Sequence, residues 1–138
     1  MAGYSGTPLV KKLGIKPGQR IALLGGPPQY RKTLGPLPDQ VNCAEQLSDK
    51  LDFIQLFVTS QLELKRRFAE SKRCLAVTGS LWVSWPKKAS GVATDLNENI
   101  VREIGLALGL VDVKVCAVDE TWSGLKFVYR LKDRPWTR

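Results

Sequence analysis

The sequence predicts an α/β protein in three layers, with a mostly parallel sheet of about six strands and a C-terminal antiparallel hairpin. Short apolar runs typical of buried strands alternate with helical patterns along the chain. Two of the helical patterns open with capping boxes. The last two strand-like runs are separated only by a turn, which favours antiparallel pairing. The chain has 138 residues, so we expect 1–138 to form a single domain.

The N-terminal half is expected to hold two short helices and three strands. Thr7 and Pro8 are typical of a helix start, and Gly14 is typical of a helix end. The run 20–24 is apolar throughout, as in a strand covered on both faces. The run 52–59 is rich in residues that favour strands. In chain order we expect a helix from Thr7 to Gly14, a strand at 20–24, a helix at 30–34, and strands at 41–45 and 52–59.

The C-terminal half is expected to hold two longer helices and three strands. Ser60–Glu63 and Asp95–Glu98 are the two capping boxes, and each is followed by apolar residues at helical spacing. Gly79 is expected to separate a helix from a strand. Pro86 should end that strand, because proline donates no ladder hydrogen bond. We expect helices from Ser60 to about residue 75 and from Asp95 to Gly109, and strands at 80–85, 111–118 and 125–131.

Composition excludes several classes of function. The chain contains no histidine, which removes histidine-based triads, histidine general bases and histidine metal sites. The three cysteines are isolated from one another, so we expect buried free thiols, no metal site and a reducing compartment. There is neither a signal-peptide pattern nor an apolar run long enough to cross a bilayer. We therefore expect a cytoplasmic protein that makes no contact with membranes.

The formal net charge is +8, and the positive charge is unevenly distributed. No acidic residue precedes Asp39, although six basic residues do. Such a bias favours anionic partners, which include nucleotides, nucleic acid and acidic protein surfaces. The alternative is a solvated, solubilising surface, and the absence of interleaved aromatic residues favours that alternative. The basic clusters are Lys11, Lys12, Lys16, Arg20, Arg31 and Lys32; Lys65–Arg67 with Lys72 and Arg73; and Lys126–Arg138.

Several segments carry resemblances to known families. The phrase LGIKPGQRI at 13–21 and the predicted order of elements resemble a truncated class I methyltransferase-like domain, which is Rossmann-like. The segments GYSGTPL at 3–9, WVSWPKKASGVATDL at 82–96 and VKVCAVDETWSGLK at 113–126 resemble the bacterial domain of unknown function 3052 family. This second resemblance spans nearly the whole chain. It implies a small bacterial cytoplasmic protein and no particular activity.

The turn after the first predicted strand is where a methyltransferase-like domain would hold S-adenosylmethionine. Gly25 and Gly26 would let a ligand approach the backbone, and Glu45 at the end of the second strand would accept ribose hydroxyls. However, Pro27 and Pro28 remove two backbone donors. The turn also lacks the G-x-G-x-x-G pattern. Glu45 has the alternative of being a solvated residue, so the cofactor hypothesis is weakened but stays open.

A second candidate site is formed by two loops that should leave neighbouring strands at their carboxyl ends, where α/β sheets bind ligands. Lys87 and Lys88, with a helix start behind them, have the character of an anion site. Alternatively, these lysines pair with Asp119 or Glu120 and lock the loops together. Trp82 lies in mid-strand and is expected in the core. The candidate ligand-binding residues are Trp85, Lys87, Lys88, Ser90, Gly91, Thr94, Asp119, Glu120, Trp122 and Ser123.

No complete catalytic motif is present, so the sequence favours a binding module over an enzyme. The first hypothesis is a Rossmann-like protein that binds a small anionic ligand or nucleotide at the strand carboxyl ends. The second is a degenerate S-adenosylmethionine-dependent methyltransferase. The third is a basic module that contacts protein or nucleic acid. The predicted domain lacks one strand–helix unit of a full methyltransferase and would leave a sheet edge uncovered, which is compatible with a homodimer.

Overall fold

The computed structural model describes residues 7–134. Strands and helices alternate as predicted, and two single turns of 3₁₀-helix lie at Lys88–Ser90 and Leu131–Asp133. The elements are α1 (Leu9–Leu13), β1 (Arg20–Leu24), α2 (Tyr30–Leu34), β2 (Asn42–Ala44), β3 (Leu51–Phe57), α3 (Gln61–Cys74), β4 (Leu75–Pro86), α4 (Glu98–Ala107), β5 (Leu110–Ala117) and β6 (Trp122–Tyr129).

The six strands form one sheet in the order β2-β1-β3-β4-β6-β5. β1 pairs in parallel with β2 and β3, and β3 pairs in parallel with β4. β6 is inserted between β4 and β5 and is antiparallel to both. The predicted α/β class, strand number and C-terminal antiparallel hairpin are therefore confirmed. Because β2 and β3 lie on opposite sides of β1, the topological switch point falls between the carboxyl ends of β1 and β3.

Apolar side chains cover both faces of the sheet. α3 and α4 pack on one face through residues such as Leu64, Phe68 and Val101, all of which are fully buried. α1 and α2 pack on the other face, where Trp82 is at the centre. Trp82 is fully buried, and its indole N–H donates to the carbonyl oxygen of Leu13 at 2.9 Å. Trp82 thus belongs to the core, as its mid-strand position predicts.

Two helices begin later than the sequence patterns predict. α1 has Pro8, not Thr7, as its N-cap residue and has no side-chain cap. α4 begins at Glu98 and is capped by Asn97, whose side chain accepts from the Ile100 N–H at 2.9 Å. The prediction that Asp95 caps this helix was wrong. The reason is a contact between elements that are distant in the sequence. The Asp95 carboxylate accepts from the Gln61 N–H, which is the first N–H of α3.

Gly79 was expected to separate α3 from the following strand, but it lies within β4. The strand starts directly after α3 and is irregular, with a shift in its register against β3 between Leu51 and Phe53. A Cβ atom on Gly79 would lie 2.9 Å from the carbonyl oxygen of Asp52. Glycine is therefore needed for this close approach of the two backbones.

The three cysteines are free, but each is half-buried rather than fully buried as predicted. Among residues 7–134, no helix combines the length and the apolar character that crossing a membrane requires.

Candidate functional site

A broad concave surface lies where β4 ends and the chain turns towards α4. It is a groove of about 730 Å³, which is within the range of small-molecule sites. Six of the ten ligand-binding residues predicted from the sequence line it: Trp85, Lys87, Lys88, Gly91, Thr94 and Ser123. We refer to this surface as the β4–α4 groove.

The base of the β4–α4 groove contains apolar side chains and is anchored to the end of the sheet. Trp85 is only 5% exposed and packs in the core on the α3–α4 face together with Leu96. Pro86, the last residue of β4, is paired with Trp122 of β6. Immediately beyond this pair, the Lys87 N–H donates to the Thr121 carbonyl oxygen at 2.7 Å. The two loops are thus joined by backbone contacts at the end of the sheet.

Two hydroxyl groups predicted as ligand donors shape the loop instead. The Ser90 hydroxyl donates to the carbonyl oxygen of Lys87 at 2.6 Å and accepts from the Val92 N–H. The Thr94 hydroxyl donates to the carbonyl oxygen of Thr59 and accepts from the Leu96 N–H. These bonds fix the path of the loop into α4. Thr94 still lines the groove, whereas Ser90 does not.

The side chains of Lys87 and Lys88 supply positive charge that the surrounding protein does not neutralise through ion pairs. Within residues 7–134, the ion pairs are those of Arg102 with Glu98 and Asp112. The predicted alternative, a lysine–carboxylate lock with Asp119 or Glu120, is therefore not formed in the described chain.

Three of the predicted residues on the second loop lie away from the groove. Asp119 accepts from the N–H groups of Thr121 and Trp122, both at 2.8 Å, and so stabilises the turn before β6. Glu120 is exposed and does not line the groove. Trp122 packs edge-on against Phe57, with ring centroids 5.1 Å apart. Trp122 and Ser123 lie on different faces of the sheet, because β6 begins at Trp122 and successive side chains of a strand point to opposite faces. Only Ser123, paired with Trp85, reaches the groove.

The switch point between β1 and β3 is closely packed. A Cβ atom on Gly25 would lie 2.9 Å from the carbonyl oxygen of Phe57, and one on Gly26 would lie 3.4 Å from the Phe57 ring. The two glycines therefore serve contacts within the protein. The adjoining cleft, lined by residues that include Gly26, Pro27, Pro28 and Glu45, has a volume of only about 170 Å³.

That cleft is smaller than the roughly 300 Å³ at which small-molecule sites begin. The residues present at the switch point therefore do not fit S-adenosylmethionine in the arrangement that the structure describes. Elsewhere in residues 7–134, no three histidine, cysteine or carboxylate side chains gather closely enough to hold a metal ion.

A buried polar network next to the switch point was not predicted from the sequence. The Tyr30 hydroxyl donates to the Gln55 Oε1 at 2.7 Å, and the Gln55 Nε2 donates to the Ser84 hydroxyl oxygen at 3.0 Å. Gln55 and Ser84 are fully buried, and burial raises the pKa of Tyr30. The signal was present in the sequence, since Gln55 is a lone amide in an otherwise apolar run. The network fixes α2 to β3 and β4.

Comparison with solved structures finds the same fold in S-adenosylmethionine-dependent methyltransferases. A methyltransferase from Aquifex aeolicus aligns with a TM-score of 0.61 and 15% identity over 86% of each chain. The magnesium protoporphyrin IX methyltransferase of Synechocystis with bound S-adenosylhomocysteine aligns with a TM-score of 0.58 and 15% identity, over 88% of this chain and 78% of that one.

A further similar structure is the fibrillarin pre-rRNA processing protein of Methanococcus jannaschii, with a TM-score of 0.61 and 14% identity over 89% of this chain and 69% of that one. At these identities the likeness establishes the fold, which is methyltransferase-like. No family model and no curated protein matches the chain. The resemblance to the domain of unknown function 3052 family therefore stays an expectation from the sequence.

Proposed function

We propose that the protein binds a small anionic ligand of the nucleotide type in the β4–α4 groove. One observation carries the proposal. A groove of about 730 Å³ at the carboxyl end of a sheet strand holds two lysines that form no ion pair within residues 7–134. Two ammonium groups on a partly apolar surface are the expected form of an anion-binding pocket. The two carboxylates that also line the groove are already engaged, because Asp95 accepts from the Gln61 N–H and Glu98 pairs with Arg102.

The two kinds of surface in the groove suit the two parts of a nucleotide. The ammonium groups of Lys87 and Lys88 would bind phosphate oxygens, each with up to three N–H donors. The apolar part, formed by Trp85, Pro86 and Val92, would contact a base or another planar group. The groove contains no nucleophile–base pair, so the proposal is binding and not catalysis.

The test is a calorimetric titration with AMP, ADP, ATP and inorganic phosphate. We expect binding of at least one nucleotide, and loss of about tenfold or more in affinity in the variant Lys87→Gln/Lys88→Gln. Each charged hydrogen bond contributes roughly 1.5–3 kcal/mol, and about 1.4 kcal/mol is tenfold. The matched control is Lys11→Gln/Lys32→Gln, which removes the same charge from exposed positions on α1 and α2. Equal loss in both variants, or no binding by the wild-type protein, would contradict the proposal.

A second candidate function, methyl transfer from S-adenosylmethionine, is favoured by the fold alone. In that case S-adenosylhomocysteine should bind beside Gly26, and Glu45→Ala should weaken the binding because a carboxylate at the end of the second strand accepts ribose hydroxyls. The same calorimeter distinguishes the two functions. Binding that depends on Glu45 and not on Lys87 and Lys88 would support the second candidate over the first.

A further inference from the structure

A second concentration of positive charge lies on the α1–α2 face of the sheet, away from the β4–α4 groove. It consists of four lysines from four separate segments: Lys12 in α1, Lys16 after α1, Lys114 in β5 and Lys126 in β6. We refer to these residues as the lysine patch. Lys12 and Lys16 are neighbours in the sequence, but only the fold brings them to Lys114 and Lys126.

The fold holds Lys12, Lys114 and Lys126 close to one another, and Lys16 is near enough to Lys126 to act on its pKa. Lys114 and Lys126 are directly paired in the β5–β6 register. The Lys114 ammonium donates to the Lys12 carbonyl oxygen at 2.9 Å, and the Lys12 ammonium donates to the Ala117 carbonyl oxygen at 3.1 Å. A Cβ atom on Gly14 would lie 3.8 Å from the Lys126 Nζ. The patch therefore spans the end of α1 and the β5–β6 half of the sheet.

The arrangement is electrostatically unfavourable for the protein alone. Like charges directly opposite one another on neighbouring strands are destabilising. Within residues 7–134, no lysine of the patch forms an ion pair with a carboxylate. Burial, and then the nearby charges of Lys114 and Lys16, lower the pKa of Lys126. A polyanion laid on the patch would remove this repulsion.

We propose that the lysine patch binds the phosphate backbone of double-stranded nucleic acid. Lysine is a point charge that contacts phosphate without reading sequence. An ammonium that gives one hydrogen bond to a carbonyl keeps two N–H donors for phosphate. Trp82, the tryptophan beside the patch, is fully buried, so its ring is not available for stacking on a base. The chemistry of the patch thus fits backbone contacts to a duplex and not recognition of single-stranded bases.

The expected salt dependence of the affinity follows from the release of counterions from the phosphates. Four phosphate contacts give a log–log salt slope of about −3.6, which is a roughly 150-fold loss of affinity between 50 and 200 mM salt. Removing two contacts should reduce the slope to about −1.8 and the loss to roughly 12-fold. The difference between these two ratios is large enough to measure.

The experiment is a fluorescence-anisotropy titration of the whole protein against labelled 20-base-pair duplexes of DNA and, separately, of RNA. The test variant is Lys16→Gln/Lys126→Gln. Neither of these two ammonium groups forms a hydrogen bond within residues 7–134, so the fold should be retained, and thermal unfolding checks this. The control is Lys65→Gln/Arg66→Gln, which removes the same charge from exposed positions on α3, on the opposite face of the sheet.

We expect the wild-type protein and the control to share the steep slope, and the test variant to have the shallow one. Binding of only one of the two duplexes supports the proposal and identifies which nucleic acid is the source of the phosphates. The proposal is overturned if neither duplex binds at about 50 mM salt. It is also overturned if the control loses as much affinity as the test variant.

Discussion

Phe57 packs against the two glycines at the switch point, and its removal tests whether the ring leaves too little room there for a cofactor. The ring is 4% exposed and packs edge-on against Tyr30 and Trp122, at centroid distances of 4.6 and 5.1 Å. Truncation of such a ring in Phe57→Ala should cost about 3–5 kcal/mol of the free energy of unfolding. For a chain of this length, that loss should lower the Tm by about 10 °C or more.

The same truncation should join the 170 Å³ cleft to the space left by the ring. We expect S-adenosylhomocysteine at 1 mM to leave the Tm of the wild-type protein unchanged and to raise that of Phe57→Ala. A ligand at 100 times its Kd stabilises a protein by about 2.7 kcal/mol. Phe57→Leu, which removes fewer buried atoms, is the second variant in case Phe57→Ala does not fold. If the wild-type protein binds S-adenosylhomocysteine as tightly as the variants do, then the ring does not obstruct the site and the reasoning is refuted.

Two further predictions concern the interior. Tyr30→Phe should cost about 1–3 kcal/mol, because it leaves the Gln55 Oε1 buried without its donor. Burial raises the pKa of Tyr30 above its ordinary value of 10.0, so its contribution is complete below pH 10 and is lost as the pH rises further. Urea unfolding at pH 8 and 11 should therefore show a smaller drop for Tyr30→Phe than for the wild-type protein. Gly105→Ala should be destabilising by about 1–2 kcal/mol despite the better helix propensity of alanine, because its Cβ would overlap the buried Phe127 ring. In the Phe127→Leu background the same change should become neutral or stabilising, and an unchanged cost in both backgrounds would show that the ring is not responsible.

The elements of the fold were largely predictable because they depend on local patterns. Ser60 caps α3 as expected, with its hydroxyl accepting from the Glu63 N–H, while the Glu63 carboxylate accepts from the Thr59 N–H and not from that of Ser60. Gly14 ends α1 with a φ of 82°, in the left-handed region that glycine favours. By contrast, Asp95 was misassigned as a helix cap because its partner is 34 residues away in the chain. No local pattern contains that information.

The candidate site was only partly predictable, for a related reason. The loop from Lys87 to Thr94 could be identified, because its residues are contiguous and follow a clear strand. Trp122 and Ser123 point to opposite faces of the sheet, and which face each one takes depends on where β6 begins. A shift of one residue would exchange the two faces. The obstruction at Gly25 and Gly26 depends on Phe57, which belongs to a different strand. Two glycines after a strand therefore predict a sharp turn more safely than they predict a cofactor.

The insertion of β6 between β4 and β5 also has a consequence for the order in which the sheet can be completed during synthesis. β5 is made before β6, yet in the sheet formed by residues 7–134 its only neighbour is β6. Until residues 122–129 leave the ribosome, β5 has no strand to pair with and β4 lacks its second neighbour. Chains are made at roughly 5–20 residues per second, so this interval is short compared with many later events in the life of a protein. We therefore expect the β1–β4 part to collapse first, and the last strand made to close the sheet in a single step.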